Sequence, residues 1–205
     1  MIFKSKEEKA YRAAILAEGQ RLLDVVHAWP ERYIACLGSY LHNRTLFGAL
    51  IRFQQRGEAS HSSVVILEKA TMLPTLEFHA LEGWGLIATE PGVLGREGAI
   101  LEIRAVDDAP PVAEVLIGTL PILGAAYEKP LGFVTKSRRT NPFKWFCSEY
   151  ANMIFELQNC FDFLVSPPWA RRSSKAKNVV LQMLCNGREP ATSNQQPKTR
   201  SLATP

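Results

Sequence analysis

Cysteine is scarce in this chain. Cys36, Cys147, Cys160 and Cys185 stand alone among 205 residues, with no CxxC or CxxH pair. That spacing excludes a structural zinc site and a dense disulfide framework. A chain of this length buries roughly 70% of its unfolded surface, so it needs neither in order to fold. Reduced thiols in a cytosol-like compartment are expected. Long apolar runs are lacking too. The longest candidate, VLIGTLPILGAAY at 115–127, contains a proline and falls short of the roughly 18 residues that a span needs. The N-terminus is charged from Lys4 onward and has no apolar stretch of the secretory kind. The expected location is cytoplasmic, with no transmembrane segment. P-loop, GxGxxG and HExxH patterns are absent, so no cofactor and no metal is expected.

The net charge of +4 is unevenly placed. Residues 169–205 carry seven Lys/Arg against Glu189 alone, so the rest of the chain sums to −2. A nucleic-acid domain would carry its charge on a folded face with interleaved aromatics, and this tail has only Trp169. No nucleic acid is expected as a partner. The tail reads as a solvated extension, and 190–205 has the composition of disorder.

The body reads as α+β. Residues 5–28 keep a helical period through Tyr11, Ile15, Leu22 and Val26, and Trp29-Pro30 ends it. A second short helix is expected over 31–42. Strands are expected at 45–54, 61–69, 75–81, 85–90 and 98–106, separated by Gly- and Pro-bearing turns. They point to a small antiparallel sheet or half-barrel. A helical pattern follows over 111–128, interrupted at Pro121, and then a loop over 128–142. A last helix opens at Cys147, with Tyr150, Met153, Ile154 and Leu157 forming its apolar stripe.

KWFCSEY at 144–150 carries the chemistry. A cysteine in the first turn of a helix meets unpaired backbone N–H groups and the positive end of the dipole, which favour the thiolate. Beside a histidine, its pKa would fall well below the usual value of about 8.5. The plainer alternative is a small buried hydrophobe. A nucleophilic cysteine needs a base, and the base needs an orienting group. His61 opens an apolar strand directly after a turn, and His79 lies on the next strand. Glu77 is two residues from His79 and shares its face. Either could be the third group. Cys36 and Cys160 read as core, Cys185 as an exposed tail residue, and His27 and His42 as surface.

GALIRFQQRGEASHSSVVIL and KWFCSEY together resemble the circularly permuted NlpC-type papain-like cysteine peptidases and amidases. There a Ser-His and an apolar strand precede a Cys-Ser-Glu at a helix start, as Ser60-His61 and Cys147-Ser148-Glu149 do here. HALEGWGL looks like the intermediate strand, with His79 where that family has an acid. The related lecithin:retinol acyltransferase-like branch uses histidine there. LGAAYEKPLG resembles the Tyr-Asp segment, which implies Tyr127 near the substrate pocket and Glu128 for the acid. The likeness covers residues 45–172. It implies a thiol hydrolase domain over 45–172 and leaves outside it an N-terminal helical extension over 1–44 and a basic, flexible tail over 173–205. The implied activity is cleavage of an amide in a peptide or cell-wall-type substrate, with Cys147 as nucleophile, His61 as base and His79 or Glu77 behind it. Two alternatives stand beside it. One is lipid-directed acyl hydrolysis or transfer by the same residues. The other is a catalytically inactive binding module of the same fold.

Overall fold

The computed structural model of the chain describes residues 6–41, 58–95, 98–127, 144–145, 147–156, 171, 173 and 175–185. Helix α1 spans Lys6–Ala28 and buries Ile15, Gly19, Leu23 and Val26, which fall on one face at helical spacing. Gly19 costs helix propensity but permits a close approach: a Cβ there would meet the backbone oxygen of Ala88 at 2.0 Å. Pro30 opens a single 3-10 turn over Pro30–Arg32.

Strand β1, Tyr33–Leu41, comes next. The strand replaces the short helix expected at 31–42. It also moves residues 33–41 out of the expected N-terminal extension and into the middle of the sheet. The others are β2 (Ala59–Glu68), β3 (Pro74–Leu81), β4 (Gly85–Thr89), β5 (Ile100–Val106) and β8 (Ala176–Leu184). They form one antiparallel sheet in the order β4-β3-β2-β1-β5-β8. The α+β class with an antiparallel sheet is as expected. β8 is a departure, because it takes residues 176–184 from the expected flexible tail and pairs them with β5 from Ile100↔Leu184 to Val106↔Ala176. Cys185 is correspondingly buried rather than exposed. The strand candidate at 45–54 and the residues Cys160, His42 and Glu128 lie outside the described residues.

Two cores lie on the two faces, as strand alternation requires. Leu37, Val64, Ile66, Phe78 and Leu86 face the helices, and Cys36, Tyr40, Val65, Leu101 and Ile103 face the other way. Over the helical face lie α1, helix α2 (Val112–Thr119) and helix α3 (Cys147–Phe155). A 3-10 turn over Leu120–Ile122 follows α2, where Pro121 interrupts the pattern. Thr119 and Tyr150 join α2 to α3 through a buried hydroxyl pair at 2.8 Å. A short parallel pair, β6 (Ala126–Tyr127) with β7 (Lys144–Trp145), leads the chain into α3.

Candidate functional site

Cys147, Tyr150, Ala151 and Ile154 share the buried face of α3, so the thiol points at the sheet. It arrives where the sheet opens. The β2–β3 ladder runs from Leu67↔Pro74 to Val64↔Phe78 and stops there. β2 nevertheless continues back to Ala59, and β3 runs on to Leu81. Ser62 lies in this stretch, which is unpaired towards β3, and its backbone N–H donates to the Cys147 sulfur, as does that of Ser148. The sulfur is therefore one peptide unit from His61. Tyr127 is close enough for a Cys147 thiolate to affect its hydroxyl, and burial holds that phenol well above its ordinary range.

The ionisation expected of this thiol is reversed. Cys147 is 1% exposed, and burial pushes its pKa up to about 12 against the pull of the N–H groups of Ser62 and Ser148. A helix N-terminus favours a thiolate only modestly, and removal from water opposes it more strongly.

His61 belongs to the other face. Strand alternation sets it with Ser63 and Val65, and it pairs across the ladder with Tyr40. Its ring packs on Tyr40 at 5.4 Å and on His79 at 5.6 Å between centroids. Its Nε2 is buried without a hydrogen-bond partner. Burial, then the neighbouring His79, lowers its pKa to about 3, while Glu77 acts the other way. No hydrogen bond joins it to Cys147 among the described residues.

Behind His61 sits a polar cluster with no counterpart among the residues singled out from sequence except Glu77 and His79. Glu77 Oε2 accepts from Tyr40 Oη at 2.8 Å and from the Gly92 N–H at 2.9 Å. His79 Nδ1 lies 3.6 Å from Glu77 Oε1, and His79 Nε2 lies 3.0 Å from Thr89 Oγ1. Both nitrogens of His79 thus face other groups, and neither it nor Glu77 hydrogen-bonds to His61. The structure gathers the expected third groups beside His61 without making either its direct orienting partner. Tyr40, Thr89 and Gly92 were missed. No alternation in YIACLGSYL marks the strand that carries Tyr40.

The helical face carries a second polar feature. Ser62, Ser39, Glu102 and Gln182 stand in register across β2, β1, β5 and β8. Glu102 accepts from Arg104, Arg171 and Gln182, and these hydrogen bonds and charges hold its pKa down at about 2 despite burial. Ser39 and Ser62 Oγ are buried without partners. A cavity of about 140 Å³ lies elsewhere, beside Gly92, Met183 and Cys185. No helix among the described residues is long and apolar enough to cross a membrane, and no group of three His, Cys, Asp or Glu among them is arranged to hold a metal ion.

No family model, no curated protein and no solved structure matches this chain.

Proposed function

We propose that the chain is a cysteine hydrolase of the permuted papain-like kind, cleaving an amide bond through Cys147 and His61. One observation carries this: the Cys147 sulfur, in the first turn of α3, takes the N–H of Ser62, one peptide from His61, where the β2–β3 ladder opens. The His61 ring turns into that opening and takes the thiol proton as the sulfur attacks the carbonyl carbon. A C–S bond forms, and the carbonyl oxygen becomes the oxyanion. The N–H groups that converge on the sulfur are the donors at hand for it. The imidazolium then protonates the departing amine as the C–N bond breaks. Water, deprotonated by His61, hydrolyses the thioester and restores the thiol. The row Ser62–Ser39–Glu102–Gln182, which reaches Cys147 at Ser62, favours a polar, peptide-like substrate over a lipid chain.

Burial of the thiol, at 1% exposure, favours a second reading: an inactive binding module of the same fold. Intact-mass spectrometry separates them. The protein is incubated with N-acyl dipeptide amides, with γ-glutamyl amides and, separately, with phosphatidylcholine vesicles. The expected result is an acyl adduct on Cys147 from an amide, lost in Cys147→Ala, with turnover lost in His61→Ala. An adduct from the vesicles alone assigns the site to lipid acyl transfer. No adduct from any of them overturns the enzymatic reading in favour of the binding module.

A further inference from the structure

Four large apolar side chains stand in solvent at one end of the sheet. Val25, in the last turn of α1, is 41% exposed, and Trp29, just after that helix, is 58% exposed. Met72 and Leu73, in the turn between β2 and β3, are 39% and 61% exposed. This turn is tied to the 3-10 turn that follows Trp29. The Lys69 N–H donates to the Arg32 carbonyl at 2.8 Å, the Lys69 ammonium donates to the Glu31 carbonyl at 2.6 Å, and Arg32 pairs with Glu68 at 2.7 Å. Within the β2–β3 turn, the Met72 N–H donates to the Glu68 carbonyl and the Glu68 N–H to the Leu73 carbonyl. Met72 has a φ of 56°, a left-handed conformation that a side chain adopts at a cost. Every residue from Lys69 to Leu73 is exposed, so this strained turn holds apolar side chains in water rather than in a core.

We propose that this end of the molecule is a membrane-docking tip, with Trp29, Met72 and Leu73 entering the interface of a zwitterionic phospholipid surface. Size favours lipid over a second copy of the chain. Aromatic side chains bury about 150–250 Å² and aliphatic ones less, so the four exposures amount to roughly 400 Å² of apolar surface. A stable protein interface takes about 800 Å² from each partner. Chemistry favours it too, because an indole sits at the headgroup level while Leu and Met reach towards the acyl chains. Charge points to a neutral surface. The charged side chains of the two turns, Glu31, Arg32, Glu68 and Lys69, sum to zero and so select no anionic lipid. The hydrogen bonds within and between the turns also occupy backbone groups that would otherwise be stripped of water without a partner. The tip lies away from the candidate site. From Glu68 back to Ser62, which meets Cys147, is roughly 20 Å of strand. Docking therefore leaves Cys147 clear of the lipid, and the inference does not rest on the hydrolase reading.

Co-sedimentation of the full chain with pure phosphatidylcholine vesicles tests this. Such vesicles carry no net charge, so the basic C-terminal segment does not contribute to the reading. Weak, reversible binding is expected, of the order given by a single acyl chain, with half-saturation at about 0.1–1 mM lipid. Raising the salt tenfold should change the partition coefficient less than about twofold. The double variant Trp29→Ser, Leu73→Ser should lower it tenfold or more. Both side chains stand largely in water, so that variant should keep the parent's urea midpoint, which separates lost docking from lost folding. Trp29→Tyr keeps an interfacial aromatic and should bind within about threefold of the parent. Brominated acyl chains should quench part of the parent's tryptophan fluorescence and none of that of Trp29→Tyr. No co-sedimentation, a partition coefficient unchanged in the double variant, or binding that appears only with phosphatidylserine overturns the proposal. Self-association in sedimentation equilibrium that the double variant abolishes overturns it as well and assigns the tip to a second copy of the chain.

Discussion

Replacing Glu77 by Gln should change the shape of the stability-versus-pH curve. The sign follows from which state binds more protons. Burial lowers His61 and His79 to about 3 from an ordinary 6.5, so just below 6.5 the unfolded chain holds both protons and the native state neither. Burial raises Glu77 above its ordinary 4.5, so above that value the native state keeps a proton that the unfolded chain has lost. Between the two ordinary values the unfolded chain binds one more proton net. Stability there rises with pH, by at most about 1.4 kcal/mol per unit. The partial exposure of His61 lowers that figure. Above 6.5 the histidines no longer contribute, and Glu77 alone makes stability fall, by about 1.4 kcal/mol per unit up to its native pKa. The curve should peak near 6.5.

Each unit of that fall is a substantial part of a total that is typically about 5–15 kcal/mol. With a urea m-value of about 2 kcal/mol/M, the midpoint should move down by about 0.7 M per pH unit along the falling limb. Urea melts followed by tryptophan fluorescence at half-unit steps from about pH 5 to about pH 8 will measure it. In Glu77→Gln the alkaline fall should vanish, and the acid limb should steepen towards about 2.7 kcal/mol per unit. A variant that declines above neutrality as steeply as the parent would refute the reasoning, because the proton lost would not be Glu77's.

Three further outcomes follow from packing. Gly95→Ala places a Cβ 2.4 Å from the Cys185 sulfur and 2.9 Å from the Tyr40 ring, so it should cost about 2 kcal/mol in urea melts, and an unchanged midpoint would show that this corner yields. Ending the chain after residue 174 removes β8, baring the β5 edge, and should abolish cooperative thermal unfolding; a melt like the parent's would show the sheet sufficient without it. Glu102→Ala takes away the acceptor shared by Arg104, Arg171 and Gln182 and should cost about 2 kcal/mol or more, whereas a loss below 0.5 kcal/mol would mark the network as solvent-equivalent.

What could be read from the chain depended on how each element meets solvent. Strands β2 to β5 were legible because Gly and Pro bound short apolar runs. β1 was not. Ala35, Gly38 and Ser39 dilute its hydrophobic signal, yet each sits at the centre of the sheet, where neighbouring strands leave little room: a Cβ on Gly38 would meet Ser63 Oγ at 2.1 Å. β8 was lost in a basic segment because an edge strand keeps exposed positions, here Val179 and Leu184, that look like tail. The site divides the same way. Cys147 at a helix start and His61 at a strand start are local patterns. The company of Tyr40 with Glu77 joins residues 37 apart and exists only once β1 is paired with β2.

That pairing also bears on how the thiol can react. A helix start beside a histidine would ordinarily give a thiolate–imidazolium pair, reactive in acid. Here the thiol is pushed up to about 12 and the imidazole down to about 3, so between these values both are neutral. Nucleophilicity must then arise with the proton transfer itself, in the complex with substrate, rather than from a thiolate present beforehand. Resting alkylation reports on this directly. The rate of iodoacetamide addition to Cys147 should be as slow as at Cys36 and Cys185, whose thiols burial raises to about 12 and about 11. It should climb with hydroxide without levelling near neutrality, and His61→Ala should leave it within about threefold while removing turnover, since a general base contributes about 10²–10⁴ in rate. A plateau of fast alkylation below pH 7 that disappears in His61→Ala would show a preformed ion pair, and with it that the ring spends its time in the opening beside the sulfur rather than against Tyr40 and His79.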